Sequence, residues 1–180
     1  MKFLLCGGLA VYIFLLASIS RTTGFIKVLG NSSDELFLVG YSHLLENHNA
    51  QCVKSKYHWS DNHWVTRSLE FKYRWGGGRP TNYQIYIKVR VEKHQVFFEV
   101  QNTSALLFWF EPQVRHRYQI RYNDNHSLVL SNLIEDVWVH QPCSLWVTKD
   151  ALGKIPQMAN ETFQTVCNAS KFVGFGHCFS

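Results

Sequence analysis

The pattern that most limits the fold of this chain is an alternation of apolar and polar side chains on either side of a glycine-rich turn. Residues 69–75 read Leu-Glu-Phe-Lys-Tyr-Arg-Trp, and residues 83–92 carry Ile or Val at every second position from 85 onward. Alternation with a period of two is typical of β-strands that have one buried and one solvated face. Because Gly-Gly-Gly-Arg-Pro separates the two runs, they are predicted to form an antiparallel hairpin.

Similar short runs, rich in Val, Ile, Tyr, Phe and Trp, fill most of the chain. The predicted strands lie near residues 36–44, 52–59, 64–75, 83–92, 95–101, 105–110, 115–122, 127–133 and 143–148. After Pro156, which suits a first helical turn, Met158, Phe163 and Val166 follow at roughly helical spacing. The order predicts an all-β fold with one C-terminal helix. Short strands of this number are typical of a β-sandwich or a closed barrel. With the helix last, the order fits an eight-stranded antiparallel barrel with the helix packed outside and a lumen for one small ligand.

Composition and the N-terminal segment predict a secreted single-domain protein. The chain has 180 residues, of which 46% are hydrophobic and 17% charged, with a net charge of +5. The basic residues are scattered, so no nucleic-acid partner is predicted. Residues 1–20 have the pattern of a signal peptide: a positive charge at Lys2, an apolar run to Ala17 and small residues at the end. The run is shorter than the roughly 20 residues of a spanning helix. We therefore expect no membrane partner and a mature extracellular domain at 21–180.

Cysteines and glycosylation sequons agree with secretion. Four cysteines follow the leader, and in an oxidising compartment they predict two disulfide bonds, with three pairings open. They are Cys52, Cys143, Cys167 and Cys178. No two of them have the C-x2-C spacing of zinc sites, so no metal site is predicted. Five N-x-S/T sequons predict a glycoprotein. Their asparagines are Asn31, Asn102, Asn125, Asn160 and Asn168.

Three stretches resemble the tick salivary lipocalins, the histamine-binding family. Residues 38–41, followed by Gln51-Cys52-Val53, are similar to the family's first strand and the cysteine that opens its second strand. Residues 118–130 resemble its late hairpin. The sequence Cys-Ser-Leu-Trp-Val at 143–147, with Ile155-Pro156, Phe163 and Cys167, resembles its Cys-Glu-Leu-Trp box and closing helix. The resemblance implies a lipocalin barrel that sequesters a small host mediator and catalyses no reaction.

The chain departs from the amine-binding members of this family at two positions. Those proteins carry an Asp after the late-hairpin cysteine and a Glu before the Leu-Trp, where this chain has Leu128 and Ser144. A cationic amine inside a low-dielectric barrel needs a carboxylate partner to offset its desolvation. The missing acids therefore argue against the family's amine site. The ligands that the resemblance implies are biogenic amines such as histamine or serotonin and, given the missing acids, lipids such as leukotrienes.

The resemblance also implies a disulfide pairing. In the family the second-strand cysteine is bonded to the end of the closing helix, which implies Cys52–Cys167 and leaves Cys143–Cys178. The alternative is Cys52–Cys178 with Cys143–Cys167, which would join the helix end to the last strand. This chain has Ser127 and Ala159 at the two positions where the family usually has a further pair of cysteines.

No sequence motif indicates an enzyme. The chain has no G-x-S-x-G elbow, no phosphate loop and no H-E-x-x-H, so neither catalytic residues nor cofactors are predicted. Small-ligand sites have apolar walls with a few polar groups. Aromatic residues on the apolar faces of the predicted strands are therefore the candidates for the wall. Trp146 is carried over from the family's Leu-Trp box, where it is expected to plug the barrel. Glu99 is the candidate carboxylate of the lumen. It lies between Phe98 and Val100, and a shift of one residue in the strand register would turn its side chain from the outer face to the inner one. The predicted ligand-binding residues are Phe71, Tyr73, Phe98, Glu99, Tyr118, Tyr122 and Trp146.

The alternative function is that of an interaction protein. Its barrel would be filled by side chains, and its loops would bind a host protein, as an inhibitor of complement or haemostasis does. The volume of the lumen discriminates between the two hypotheses. A cavity of roughly 300 Å³ or more with convergent polar groups favours a small ligand, whereas an interior filled by side chains favours a protein partner.

Overall fold

The structure is a computed structural model that describes residues 28–92, 96–111, 114–133, 141–167 and 170–178. The predicted signal peptide lies outside the described residues. The strands are β1 (Leu36–Ser42), β2 (Ala50–Ser60), β3 (Val65–Tyr73), β4 (Thr81–Val91), β5 (Phe97–Val100), β6 (Arg117–Asn123), β7 (Ser127–Asn132), β8 (Cys143–Thr148) and β9 (Ser170–Phe172). The helices are α1 (Ser104–Phe110) and α2 (Gln157–Val166). Short 3₁₀ turns occur at Leu29–Asn31, His43–Leu45, Lys149–Ala151 and Gly176–Cys178.

Strands β1 to β8 form a closed antiparallel barrel. Each strand pairs with the next in sequence, and β8 returns to β1, where Leu38 lies opposite Trp146. β9 extends the sheet along the other edge of β1, beside Gly40. This arrangement confirms the predicted eight-stranded antiparallel barrel. Among the helices of the described residues, none has the length and apolar character needed to cross a membrane.

The connections between strands alternate between the two ends of the barrel. At the closed end the 3₁₀ turn Leu29–Asn31 lies by the β6–β7 connection, and Leu29 N–H donates to Asn123 Oδ1 at 2.8 Å. At the other end, here termed the mouth, β1, β3, β5 and β7 end and β2, β4, β6 and β8 begin. The β3–β4 connection is the predicted glycine turn. Gly76 and Gly77 have φ values of 50° and 82° there, a conformation that favours glycine.

Helix α1 replaces the strand predicted at 105–110. Its start is set by Thr103, whose Oγ1 accepts a hydrogen bond from Leu106 N–H at 3.1 Å. Leu106 and Phe110, four residues apart, both face the cavity inside the barrel. The strand prediction is wrong because a short apolar run is compatible with either structure until its neighbours are known.

Helix α2 confirms the predicted C-terminal helix and covers the outer side of the barrel. Ala159 and Phe163 are fully buried there, in a second core shared with Phe37, Val129 and Val147. Strand β7 is consequently buried on both faces. Gly40 allows the close approach of the helix, since a Cβ at this position would lie 2.7 Å from the Phe163 ring.

The disulfide bonds join Cys52 to Cys178 and Cys143 to Cys167, so the predicted pairing is wrong and the alternative is present. Cys167 ends α2 and forms a parallel bridge with Gln141, which brings it to a Cα–Cα distance of 5.4 Å from Cys143. Beyond Cys167 the chain enters β9 and runs along β1 toward β2. Cys52 lies in a bulge of β2 with a positive φ of 56°, and its Cα is 5.6 Å from that of Cys178. The tail, rather than the helix end, therefore reaches the second strand.

Candidate functional site

The barrel encloses a cavity of about 170 Å³. Its wall is mostly aliphatic, and representative lining residues are Leu36, Leu69, Ile87, Val89, Val100 and Leu130. This volume lies below the roughly 300 Å³ that would favour a small-ligand site outright, yet the interior is not filled. It is similar to the roughly 150 Å³ of an engineered apolar protein cavity that binds benzene. The cavity as it stands accommodates a ligand about the size of one ring.

Three of the predicted ligand-binding residues lie in the cavity wall: Phe98, Tyr118 and Trp146. Burial raises the pKa of Tyr118, whose oxygen accepts a hydrogen bond from Arg115 N–H at 2.8 Å. Trp146 Nε1 donates to Ser144 Oγ at 3.0 Å. The indole N–H of Trp146 is therefore used within the protein, the Tyr118 oxygen accepts one hydrogen bond from the backbone, and both rings lie in the wall of the lumen.

The two positions at which the amine binders are expected to carry acids both face the lumen. Leu128 and Ser144 line the cavity, and Leu128 is 1% exposed. The described residues of the wall include no aspartate or glutamate. The substitutions singled out in the sequence thus remove negative charge from the cavity itself.

Arg67 is the functional candidate that the sequence analysis missed. It lies on β3, is 1% exposed and lines the cavity near its closed end. Nε donates to Ser55 Oγ, and the terminal nitrogens donate to the backbone carbonyls of Gly30, Ser32, Asp34 and Ser55. All five guanidinium N–H donors are thereby used. Burial lowers the pKa of Arg67 to about 10, so the group remains a cation at neutral pH. The available signal was a charged residue between Val65 and Leu69, on the apolar face of its strand.

Phe71 and Tyr73 lie at the mouth end of the barrel and not in the cavity wall. Both point inward as the alternation predicts, but helix α1 packs on them. The Phe71 ring is 5.0 Å from that of Phe110, and the Tyr73 ring is 5.0 Å from that of Trp109. Together with Tyr83, 4.5 Å from Trp109, these rings fill the mouth end. The sequence predicted the correct face but could not predict the helix above it.

Tyr122 faces away from the lumen. The register of β6 shifts between Ile120 and Tyr122, so the strand does not keep the alternation that places Tyr118 inside. Tyr122 packs with the outer core, and its hydroxyl donates to Asp124 Oδ2 at 2.9 Å. A local bulge of this kind has no clear signature in the alternation pattern.

Glu99 also points outward, between its cross-strand neighbours Arg90 and Arg117. Its carboxylate accepts a hydrogen bond from Arg90 Nε, and this bond lowers the pKa of Glu99. The flanking residues Phe98 and Val100 line the cavity. Glu99 is therefore buried on the outer side of β5, at 8% exposure, and does not line the lumen.

Replacing Glu99 by Gln should leave ligand binding unchanged and reduce stability only above acidic pH. Because Arg90 lowers the pKa in the folded state, the ionised carboxylate contributes stability above its ordinary pKa of about 4.3 and loses it as pH falls through the lower folded value. Chemical denaturation should therefore show a gap between wild type and E99Q at neutral pH that closes on acidification. E161Q, on the exposed side of α2, is the control. A gap that is independent of pH would contradict this account.

The sequons differ in accessibility. Asn102 and Asn125 are exposed, near the mouth and the closed end respectively. Asn31 Oδ1 is buried without a hydrogen-bond partner, and Asn160 Oδ1 accepts from Gln164 Nε2 at 3.1 Å. Asn168 lies outside the described residues. Glycosylation stays a prediction, with Asn102 and Asn125 the most accessible of the four described positions.

Comparison with known proteins gives consistent matches. The model of the tick histamine-binding protein family matches residues 20–174. Japanin-like-RS of Rhipicephalus sanguineus and Japanin of Rhipicephalus appendiculatus are each 30% identical over 167 residues, covering 93% of this chain and 92% of theirs. The crystal structure of Japanin bound to cholesterol has a TM-score of 0.74 and 31% identity, and the match covers 82% of this chain and 95% of that one. Apocrustacyanin C2, at 9% identity and a TM-score of 0.50, shares the fold alone. Family and fold are those of lipocalin-type binding proteins.

Proposed function

The chain belongs to the tick histamine-binding protein family, and we propose that it is a secreted salivary lipocalin that sequesters a small neutral, largely apolar ligand in its barrel. The observation that carries this proposal is the charge of the lumen. The described wall contains a buried guanidinium, that of Arg67, and no carboxylate. The protein binds and withholds its ligand and performs no reaction.

The charge of the lumen argues against amines such as histamine and serotonin. An ammonium group that enters the cavity loses its hydration without gaining a counter-ion, and it approaches the cation of Arg67. Arg67 attracts a lipid carboxylate, such as that of a leukotriene, by its charge but offers it no free hydrogen-bond donor. Because all five N–H donors of Arg67 already bind protein oxygens, an anionic group would have to displace one of these bonds. A neutral ligand avoids both costs.

The polar groups of the wall suit a ligand with one hydroxyl group. Ser144 Oγ accepts from Trp146 Nε1, and its own hydroxyl hydrogen is available to a ligand oxygen. The related Japanin has been crystallised with cholesterol, which has this chemistry. A sterol exceeds a cavity of about 170 Å³, so its binding requires side chains at the mouth end to move. Phe110, which lines the cavity and contacts Phe71, stands where the longer ligand would extend.

The test is native mass spectrometry of the protein after incubation with a mixture of biogenic amines and lipids. We expect a neutral lipid to be retained, and calorimetry should give histamine a Kd in the micromolar range or weaker, about −8 kcal/mol or less favourable. Ile87→Trp, which inserts a large ring into the wall, should weaken binding of a fluorescent sterol at least about tenfold by occupying the cavity. Tyr86→Trp is the matched control, because Tyr86 is the next residue on β4 and is 58% exposed.

Nanomolar histamine binding would overturn the proposal. If no small molecule is retained and I87W has the same binding properties as Y86W, the protein-binding alternative is favoured instead. A pull-down of host plasma proteins would then be the next measurement.

A further inference from the structure

Three apolar side chains project into solvent at the mouth of the barrel, and we name them the mouth rim: Leu44, Trp75 and Phe108. They are 65%, 53% and 70% exposed, respectively. Each comes from a different connection: Leu44 from the 3₁₀ turn after β1, Trp75 from the β3–β4 turn, and Phe108 from α1. Single exposed apolar residues are common on proteins, whereas several at one place mark an interaction site.

Within the mouth rim, Trp75 and Phe108 belong to one surface, because both rings contact that of Trp109. The Trp109 ring lies 5.6 Å from that of Trp75 and 5.1 Å from that of Phe108. Leu44 belongs to the β1–β2 connection, which reaches Trp109 through Asn47. The Asn47 Nδ2 donates to the Trp109 carbonyl at 3.1 Å. Leu45 and Phe110, which adjoin these residues in sequence, line the ligand cavity. The exposed apolar surface is thus immediately outside the cavity.

Two arginines give the mouth rim a positive edge. Arg74 and Arg79 flank the β3–β4 turn, are exposed, and form no ion pair within the described part of the chain. By contrast, Arg90 and Arg117 on the barrel wall are each paired with a glutamate. Among the carboxylates that the structure describes near the mouth, that of Glu46 is bound by Lys171, and Glu111 follows α1. Exposed aromatic rings beside unpaired cations are typical of proteins that bind the surface of an anionic bilayer.

We propose that the mouth rim docks on the surface of a bilayer that contains anionic lipids, where the barrel collects its apolar ligand. The collection step rests on the proposed function, whereas docking itself requires no ligand. A ligand with little charge and a largely apolar body concentrates in membranes, and docking places the cavity next to that source. The sequence prediction of no membrane partner came from the lack of a spanning segment, and surface docking needs none.

Co-sedimentation with vesicles of phosphatidylcholine and phosphatidylserine tests the proposal. Every protein carries Asn102→Gln, so that no glycan next to α1 covers the mouth rim. We expect binding to these vesicles and much weaker binding to phosphatidylcholine alone. Phe108→Ser should reduce the partition at least about tenfold, and Arg74→Gln and Arg79→Gln about fivefold each. The controls are Met158→Ser, at a side chain 58% exposed on α2, and Lys154→Gln, an exposed cation before α2.

Two results would overturn the docking proposal: failure of the N102Q protein to sediment with anionic vesicles, and equal losses in M158S and F108S. Titration of each variant with a fluorescent sterol separates this outcome from failure of the proposed function. If vesicle binding depends on the mouth rim but no sterol is bound, docking stands and the neutral-ligand proposal fails. If sterol is bound but vesicles are not, the neutral-ligand proposal stands and docking fails.

Discussion

Replacing Cys52 and Cys178 together by alanine should lower the free energy of unfolding by about 5 kcal/mol. The bond closes a loop with a sequence separation of 126 residues, so its loss returns a large conformational entropy to the unfolded chain. Loss of the bond also releases the tail after β9, which the bond holds against β2. Guanidinium denaturation of the oxidised protein, followed by tryptophan fluorescence, would measure the change.

The matched control is the double replacement of Cys143 and Cys167 by alanine. This bond closes a loop with a separation of 24 residues, and the same entropy relation gives about 3.5 kcal/mol. The order of the two losses is the diagnostic result. Peptide mapping without reduction should recover Cys52 linked to Cys178. A Cys52 peptide linked to Cys167 would contradict the structure and restore the pairing that the family resemblance implies.

Replacing Arg67 by Met should lower the free energy of unfolding by roughly 3–5 kcal/mol. Arg67 joins β3 to Ser55 on β2 and to the carbonyls of Gly30, Ser32 and Asp34 in the segment that closes the barrel. Without the guanidinium, these buried acceptors lose their donors. The closed end should then become accessible, so hydrogen exchange ought to accelerate at residues 28–35.

Arg90→Met is the control for Arg67, because it removes a cation from the outer surface of the neighbouring strand. A partly exposed ion pair such as Arg90–Glu99 contributes about 1 kcal/mol or less. Arg67→Lys keeps the charge but offers three donors in place of five, so it should lie between wild type and R67M. A loss below about 1 kcal/mol in R67M would show that the network does not hold the closed end.

The arrangement of strands could be predicted because it follows from local patterns in the sequence. Alternation with a period of two depends only on which face of each strand is buried, and the glycines at 76–78 permit a turn wherever they occur. The chemistry of the lumen was predictable in part for a similar reason. Leu128 and Ser144 occupy positions that the family resemblance assigns to acids, and both line the cavity.

The details of the site depended on contacts between distant segments. A bulge in β6 turned Tyr122 outward, and α1 covered Phe71 and Tyr73, although the sequence placed all three among the ligand-binding residues. Neither event is visible in the pattern of one strand, because a bulge depends on the pairing of its neighbour and a short apolar run takes the structure that its surroundings allow.

By itself the sequence determined antiparallel strands with one buried face and a C-terminal helix, and the order of elements and the family resemblance favoured a closed barrel over a sandwich. Only the tertiary structure decided which cysteines meet and why a charged residue is tolerated inside. Cys178 reaches Cys52 because β9 runs along β1, and Arg67 is stable in the interior because backbone carbonyls far away in sequence surround it. Both outcomes depend on distances between residues that the chain brings together only when it folds.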